Sequence, residues 1–166
     1  MTRAKLIAAA ALGLTLLSGC AVEVEHTQEN VDLLLQAVLG RVQTEPQYLP
    51  DRGLLPADGP LLVREEIYDS AFKVTSASLP QPSTQLVTRA WVELQQVADA
   101  SGQDLFFIEI GGLDLVGNEA TLTIGVGFAI PESSQRAMLC CCSRTDSYTW
   151  QDGRWVFSKA INGQCS

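Results

Sequence analysis

Apolar residues recur at two different spacings along this chain, and the change of spacing separates a helical part from a strand-rich part. Asn30 is a predicted N-cap for a helix over residues 31–43, whose apolar positions form one stripe. Ser83 or Thr84 is predicted to cap a second helix that ends at Gly102, because these apolar residues follow helical spacing: Leu86, Val87, Ala90, Trp91, Leu94, Val97 and Ala98.

Beyond Gly102 the spacing becomes alternating, which predicts four consecutive antiparallel strands over residues 105–116, 119–130, 137–151 and 154–161. Two shorter strands, over 61–68 and 72–78, are predicted before the second helix. This order of elements predicts an α+β domain in which two helices pack on one face of a curved antiparallel sheet, and a four-stranded meander closes the chain.

The first strong hairpin turn is Gly117-Asn118. An uninterrupted register from that turn pairs Glu109 with Val126 and points the carboxylate into the core. An ionised carboxylate buried there would need a raised pKa or a partner, so Glu109, with Asp114, is a candidate catalytic residue. A bulge at Gly111-Gly112 would instead turn Glu109 to solvent. We favour the bulge.

The second turn, Asp152-Gly153, predicts a closing hairpin with four cross-strand pairs. They are Trp150 with Trp155, Tyr148 with Phe157, Asp146 with Lys159, and Cys140 with Cys165. The last pair is our preferred disulfide, although a bulge would pass Cys165 to Cys141 or Cys142. The four aromatic residues are binding candidates for a sugar or peptide, while packing within the protein is the commoner role of such pairs.

The first nineteen residues predict an export signal, with Arg3 and Lys5 before an apolar run over 6–17. That run is shorter than the roughly 20 residues that span a bilayer. It ends in Leu17-Ser18-Gly19-Cys20, which resembles the lipobox of bacterial lipoproteins. The resemblance implies cleavage before Cys20, lipid on its sulfur and a place in the cell envelope. Ala21 follows the cysteine, which favours the outer membrane in an organism with two membranes.

The remaining chain predicts a short tether over residues 20–30 and one domain over 31–166. Loss of Arg3 and Lys5 with the leader would lower the formal net charge from −8 to −10, which makes nucleic acid an improbable partner. His26, the single histidine, falls in the tether, so a His-based catalytic or metal site is not expected. No metal or cofactor is predicted.

The element order, with the closing WQDGRW hairpin of residues 150–155, is similar to the nuclear transport factor two-like, or SnoaL-like, superfamily. The resemblance implies a cone-like sheet around a pocket. Because that superfamily includes isomerases, dehydratases and non-catalytic domains, fold alone cannot choose a function. We expect a membrane-anchored, non-catalytic binding or accessory module for an envelope protein, peptide, glycan or small molecule. The alternatives are an enzyme of the cone fold that uses Glu109 and a structural envelope protein.

Overall fold

The computed structural model describes residues 23–82, 85–134 and 141–165. Two helices and six strands occupy most of these ranges, with 3₁₀ turns at Arg52–Leu54 and Ser76–Ser78. In chain order they are α1 (Gln28–Thr44), β1 (Leu61–Arg64), β2 (Leu86–Arg89), α2 (Trp91–Ser101), β3 (Leu105–Val116), β4 (Glu119–Ala129), β5 (Cys142–Gln151) and β6 (Arg154–Cys165).

The strands form one open, mixed sheet in the order β2-β1-β3-β4-β5-β6. Strand β1 lies parallel to both β2 and β3, whereas β3 to β6 follow one another as antiparallel neighbours. The expected fold class, a curved antiparallel sheet of cone-like form, is therefore wrong. Parallel neighbours require a crossover connection. The chain between β1 and β2 makes one crossover, and α2 leads the chain from β2 past β1 to β3.

The two helices pack on opposite faces of the sheet. Helix α1 packs its buried apolar stripe on the face that carries Ile108, Ile124 and Leu122. Helix α2 buries Leu94 and Ala98 against Phe107 and Ala129. Successive strand residues point to opposite faces of the sheet, so Ile108 faces α1 and Phe107 faces α2. The prediction that both helices pack on one face is therefore wrong. Neither described helix combines the length and the apolar character needed to cross a bilayer.

The segment before α2 is a strand, contrary to the helix predicted there. Residues Leu86 to Arg89 pair with Leu61 to Arg64, and the helix begins only at Trp91. Its first backbone N–H donates to the carboxylate of Glu66, at 2.9 Å from one oxygen. The predicted caps, Ser83 and Thr84, lie outside the described residues. Pairing with β1 overrides a spacing that suits either structure.

The start of α1 also differs from its prediction. Thr27 caps the helix, three residues before the expected Asn30, and its side chain accepts from the Asn30 N–H. Where a strand over 72–78 was expected, only Lys73 forms a bridge, to Glu66, before the 3₁₀ turn. The buried carboxylate of Asp32 accepts hydrogen bonds from Thr75 and Ser78 and so fastens this turn to α1.

A disulfide joins Cys142 to Cys165, so the preferred pairing of Cys165 with Cys140 is wrong. The register from the Asp152-Gly153 turn shifts twice, with Ser158 and Ile161 as extra residues in β6. Each bulge advances the partner of Cys165 by one position. Cys141 is disulfide-bonded as well. Cys140 lies outside the described residues.

The disulfide between the ends of β5 and β6 predicts a measurable stability loss on its removal. In Cys142→Ala/Cys165→Ala we expect the free energy of unfolding to fall by about 2–4 kcal/mol, because the open chain gains conformational freedom when unfolded. Denaturant unfolding without reductant measures it, with Ser147→Ala in the same hairpin as a control of about 0.5 kcal/mol or less. A free Cys165 thiol in a non-reducing peptide map would contradict the assignment.

Candidate functional site

The β3–β4 hairpin decides where Glu109 lies. Gly117 adopts a φ of 56° in the predicted turn, and Leu113 faces Leu122. The register then shifts between Ile110 and Gly112, which confirms the favoured bulge. Beyond it Glu109 faces Gly125 and points away from the α1 core. Its side chain is nevertheless only 36% exposed, because it lies over the sheet on the α2 side.

A glycine makes room for this carboxylate. A Cβ atom at Gly127 would stand 2.7 Å from Oε2 of Glu109 and 2.5 Å from the Phe107 ring, so a side chain could not be added there without displacement. The nearest cationic partner is Arg64, whose Nη1 lies 3.9 Å from Oε2. Burial raises the pKa of Glu109 above its ordinary value, and the charge of Arg64 opposes that rise.

Glu109 opens into a cleft of about 460 Å³ at the end of the sheet where β5 begins. Its other walls come from Gly125, Val126, Phe128, Cys141, Cys142, Ser143, Gln164 and Cys165. Asp114 does not share this cleft. It lies exposed beyond the bulge and lines a separate hollow with Tyr68 and Asp69. The structure therefore does not bring the two candidate catalytic carboxylates together.

The closing hairpin places its aromatic pairs as predicted. The ring centroids of Trp150 and Trp155 are 5.3 Å apart, and those of Tyr148 and Phe157 are 5.8 Å apart. Tyr148 and Trp155 are buried, and the indole of Trp155 donates to the backbone of Asn30 at 2.8 Å. Phe157 is the accessible member at 39% exposure. Most of the predicted aromatic surface is thus used to hold α1 against the sheet.

Sequence reasoning missed a charged cluster beside these rings. Asp146 is fully buried and accepts from Arg144 at 2.8 Å and from Arg41 of α1 at 3.3 Å. The expected partner, Lys159, lies instead opposite Ser147 because of the first β6 bulge. The sequence could have indicated Arg144 as a partner of Asp146, because residues two apart in a strand lie on the same face. No local pattern indicates Arg41, which lies 105 positions away.

The same cluster orders two tyrosines and one exposed ring. The Arg41 guanidinium lies 4.3 Å from the Tyr48 ring centroid and 4.1 Å from that of Phe157. The hydroxyls of Tyr48 and Tyr148 are 3.2 Å apart. Burial is the main cause that raises the pKa of both tyrosines, so both remain protonated donors. The Arg41 guanidinium thus supports the Phe157 ring on the side that faces the protein.

A groove of about 380 Å³ runs between α1 and this hairpin, lined by Ala37, Arg41, Tyr148, Arg154, Trp155, Val156 and Phe157. Arg41 is neutralised there by Glu45, at 2.8 Å, and by Asp146. Arg154 makes no ion pair with any residue in the described ranges. The groove thus contains an exposed ring, and an uncompensated positive charge lies at its rim on the edge of β6.

The other polar candidates have structural partners. His26 contacts the backbone oxygen of Gly117 at 3.0 Å, so it is docked on the domain and does not hang in a free tether. Glu66 caps α2, and this bond to the Trp91 N–H and its contact with Arg64 lower its pKa against the effect of burial. Within the described ranges no group of three or more His, Cys, Asp or Glu side chains is arranged to hold a metal ion.

The raised pKa of Glu109 predicts a pH-dependent stability difference. The folded state retains the Glu109 proton at a pH where the unfolded state has lost it, so stability falls as pH rises from about 4.5 through the folded pKa. Glu109→Gln should lose this fall and gain on the parent between pH 4 and pH 8. NMR titration and denaturant unfolding measure both effects, with exposed Asp114→Asn as the control. An ordinary pKa for Glu109 would contradict the burial argument.

Comparisons with known proteins give one partial similarity. No family model matches the chain, and no solved structure matches it. Over 88 residues it is 31% identical to Protein ApaG of Acidovorax sp. (strain JS42), a stretch that covers 53% of this chain and 53% of that protein. The chain thus spans about half the length of the curated relative it matches. The name of that protein indicates no ligand or activity.

Proposed function

We propose that this chain is a lipid-anchored protein of the bacterial envelope whose domain binds a ligand, without catalysis, in the groove between α1 and the β5–β6 hairpin. The observation that carries the proposal is the exposed ring of Phe157, held against the Arg41 guanidinium at 4.1 Å, in a groove that has at its rim Arg154, which makes no ion pair with the described residues. An accessible, immobilised ring with a cation at the rim of the same groove offers stacking and charge recognition together.

The lipid anchor rests on the Leu17-Ser18-Gly19-Cys20 sequence, which lies outside the described residues. An anchor at Cys20 is compatible with the position of the first described residues. Val24 is buried and its N–H donates to Asn118 at 2.7 Å. Only three residues separate Cys20 from Val24, a reach of about 14 Å. A lipid on Cys20 would therefore hold the Gly117-Asn118 turn close to the membrane surface.

The groove would open near the same surface. The N–H of Trp150 donates to Asn118 at 2.7 Å, so the two hairpin turns lie at one end of the sheet. The groove residues Arg154 to Phe157 directly follow the second turn. The Cys142–Cys165 disulfide and the Glu109 cleft lie at the opposite end. A ligand within the envelope, close to the membrane, would fit this orientation.

The cysteine pattern adds a condition to the anchor. Cys142 is bonded to Cys165, and Cys141 is disulfide-bonded as well. A lipidated Cys20 has no thiol to offer as a partner. Mass spectrometry of the cysteine-containing peptides of the membrane form, prepared without reductant, should therefore find the lipid and no disulfide at Cys20.

The anchor predicts that Cys20→Ala releases a folded domain from the membrane. Two or three acyl chains, at about 0.8 kcal/mol per buried methylene, hold a protein durably, and the net negative charge of the chain does not favour a membrane surface without them. Membrane fractionation and metabolic labelling with radioactive palmitate measure the effect. Cys165→Ala is the control and should stay lipidated and membrane-bound. Retention of Cys20→Ala in the membrane fraction would contradict the anchor.

The groove is tested with a photo-crosslinking residue in the full chain expressed in its own envelope. At Val156, which lines the groove, we expect a discrete adduct that Phe157→Ala reduces at least fivefold. The same probe at Val92, exposed on α2, should give none. Glu109→Gln should leave the adduct unchanged. Equal labelling at both positions, or no adduct at Val156, would contradict binding in the groove.

A small-molecule enzyme that acts at Glu109 is the second candidate function. The observation in its favour is the half-buried carboxylate of raised pKa that opens into a cleft, which suits a general acid or base. A general acid or base acts on a bound substrate that other groups must orient, and Glu109 is the one titratable side chain among the described residues of the cleft wall, because the cysteines there are disulfide-bonded. The groove therefore supports binding better than the cleft supports catalysis.

A further inference from the structure

Strand β6 forms one free edge of the sheet along its whole length. It pairs with β5 on one side, and no described strand pairs with the other. Residues from Phe157 to Cys165 are exposed without interruption, on both faces of the sheet. The other edge, β2, has only four residues. A long free edge presents backbone donors and acceptors that an added strand can use.

The backbone groups that face outward from β6 can be identified near the turn. Because the Trp150 N–H bonds to Asn118 in the opposite direction, the Trp150/Trp155 pair does not exchange backbone hydrogen bonds. Trp155 therefore directs its own N–H and C=O groups at the free side of the strand. Phe157, two residues later, does the same. The bulges at Ser158 and Ile161 interrupt this pattern, so the regular part of the edge is Arg154–Phe157, beside the groove.

The charge of this edge is opposite to that of the protein. Strand β6 carries Arg154 and Lys159 and no acidic residue, whereas the chain has a formal net charge of −8. The bulge at Ser158 returns Lys159 to the face that carries Arg154, away from α1. Neither side chain makes an ion pair with the described residues. A second copy of β6 would place basic strand against basic strand, which is unfavourable.

We propose that the ligand of the groove is an extended acidic peptide segment that adds a seventh strand to β6 along Arg154–Phe157. Its side chains on the α1 face enter the groove beside Phe157, and its acidic side chains on the other face lie along Arg154 and Lys159. Main-chain hydrogen bonds to Trp155 and Phe157 hold the strand, and the two cations select its charge. This inference rests on the proposed function, since it assigns the class of ligand to the same groove.

The test uses two capped eight-residue peptides, one of alternating valine and glutamate and one of alternating valine and lysine, against the full lipidated chain in detergent micelles. We expect the glutamate peptide to bind at least tenfold more tightly than the lysine peptide. Its binding should weaken at least fivefold between 50 and 500 mM salt. Amide NMR shifts should be largest at Trp155 and Phe157.

Charge-reversal variants test whether peptide binding depends on the two basic residues of the β6 edge or only on the overall charge of the protein surface. Arg154→Glu/Lys159→Glu should weaken binding of the glutamate peptide at least tenfold and reverse the preference between the peptides. Arg89→Glu, which makes the same kind of change on the opposite edge strand, should alter binding less than twofold. The melting temperature and an intact Cys142–Cys165 disulfide verify that each variant is folded.

Several results would overturn the inference. They are equal binding of both peptides, no binding, shifts confined to β2 or the Glu109 cleft, and a concentration-dependent dimer that Arg154→Glu/Lys159→Glu alters, which would assign the edge to a second copy. If the Val156 adduct persists while neither peptide binds, the acidic strand is excluded and binding in the groove stands. If the adduct is also absent, the proposed function itself fails.

Discussion

The buried carboxylate of Asp146 is the constraint on which the rest of the structure depends. It has no exposed surface and accepts from Arg144 of its own strand and from Arg41 near the end of α1. A buried charge without partners is strongly unfavourable, and removal of one partner from such a pair costs about 3–5 kcal/mol. The two arginines also enclose Tyr48, so the loop after α1 is held at the same point.

This arrangement explains how a domain with an acidic surface presents a basic edge. Arg41 forms ion pairs with Asp146 and Glu45, which neutralise its charge. In the groove its guanidinium acts mainly as a flat surface behind the Phe157 ring. Arg154 and Lys159 lie further out on β6, where the bulges have moved Lys159 away from Asp146. The ion pair of Arg41 with Asp146 thus stabilises the fold. Arg154 and Lys159, which make no ion pair with the described residues, stay available to a partner molecule.

Bulges place both candidate sites. In β3 the extra residue Gly111 moves Glu109 from the α1 core to the α2 side, where Gly127 leaves space for its carboxylate. In β6 two extra residues change the partner of Cys165 from the predicted Cys140 to Cys142. Because the side-chain period of a strand is two, one inserted residue changes the face of everything that follows.

The sequence by itself determined the features that depend on neighbouring residues. These are the apolar stripe of α1, the turns at Gly117-Asn118 and Asp152-Gly153, the aromatic pairs next to the second turn, and the glycine bulge beside Glu109. Turn chemistry and periodicity act over a few residues, so they can be read locally. Only the tertiary structure decided that Leu86 to Arg89 form a strand, because the parallel partner β1 lies 25 positions earlier in the chain. The tertiary structure also decided the partners of Asp146 and the disulfide partner of Cys165. The twist of the long β5–β6 hairpin and the docking of α1 determine where the bulges of β6 occur.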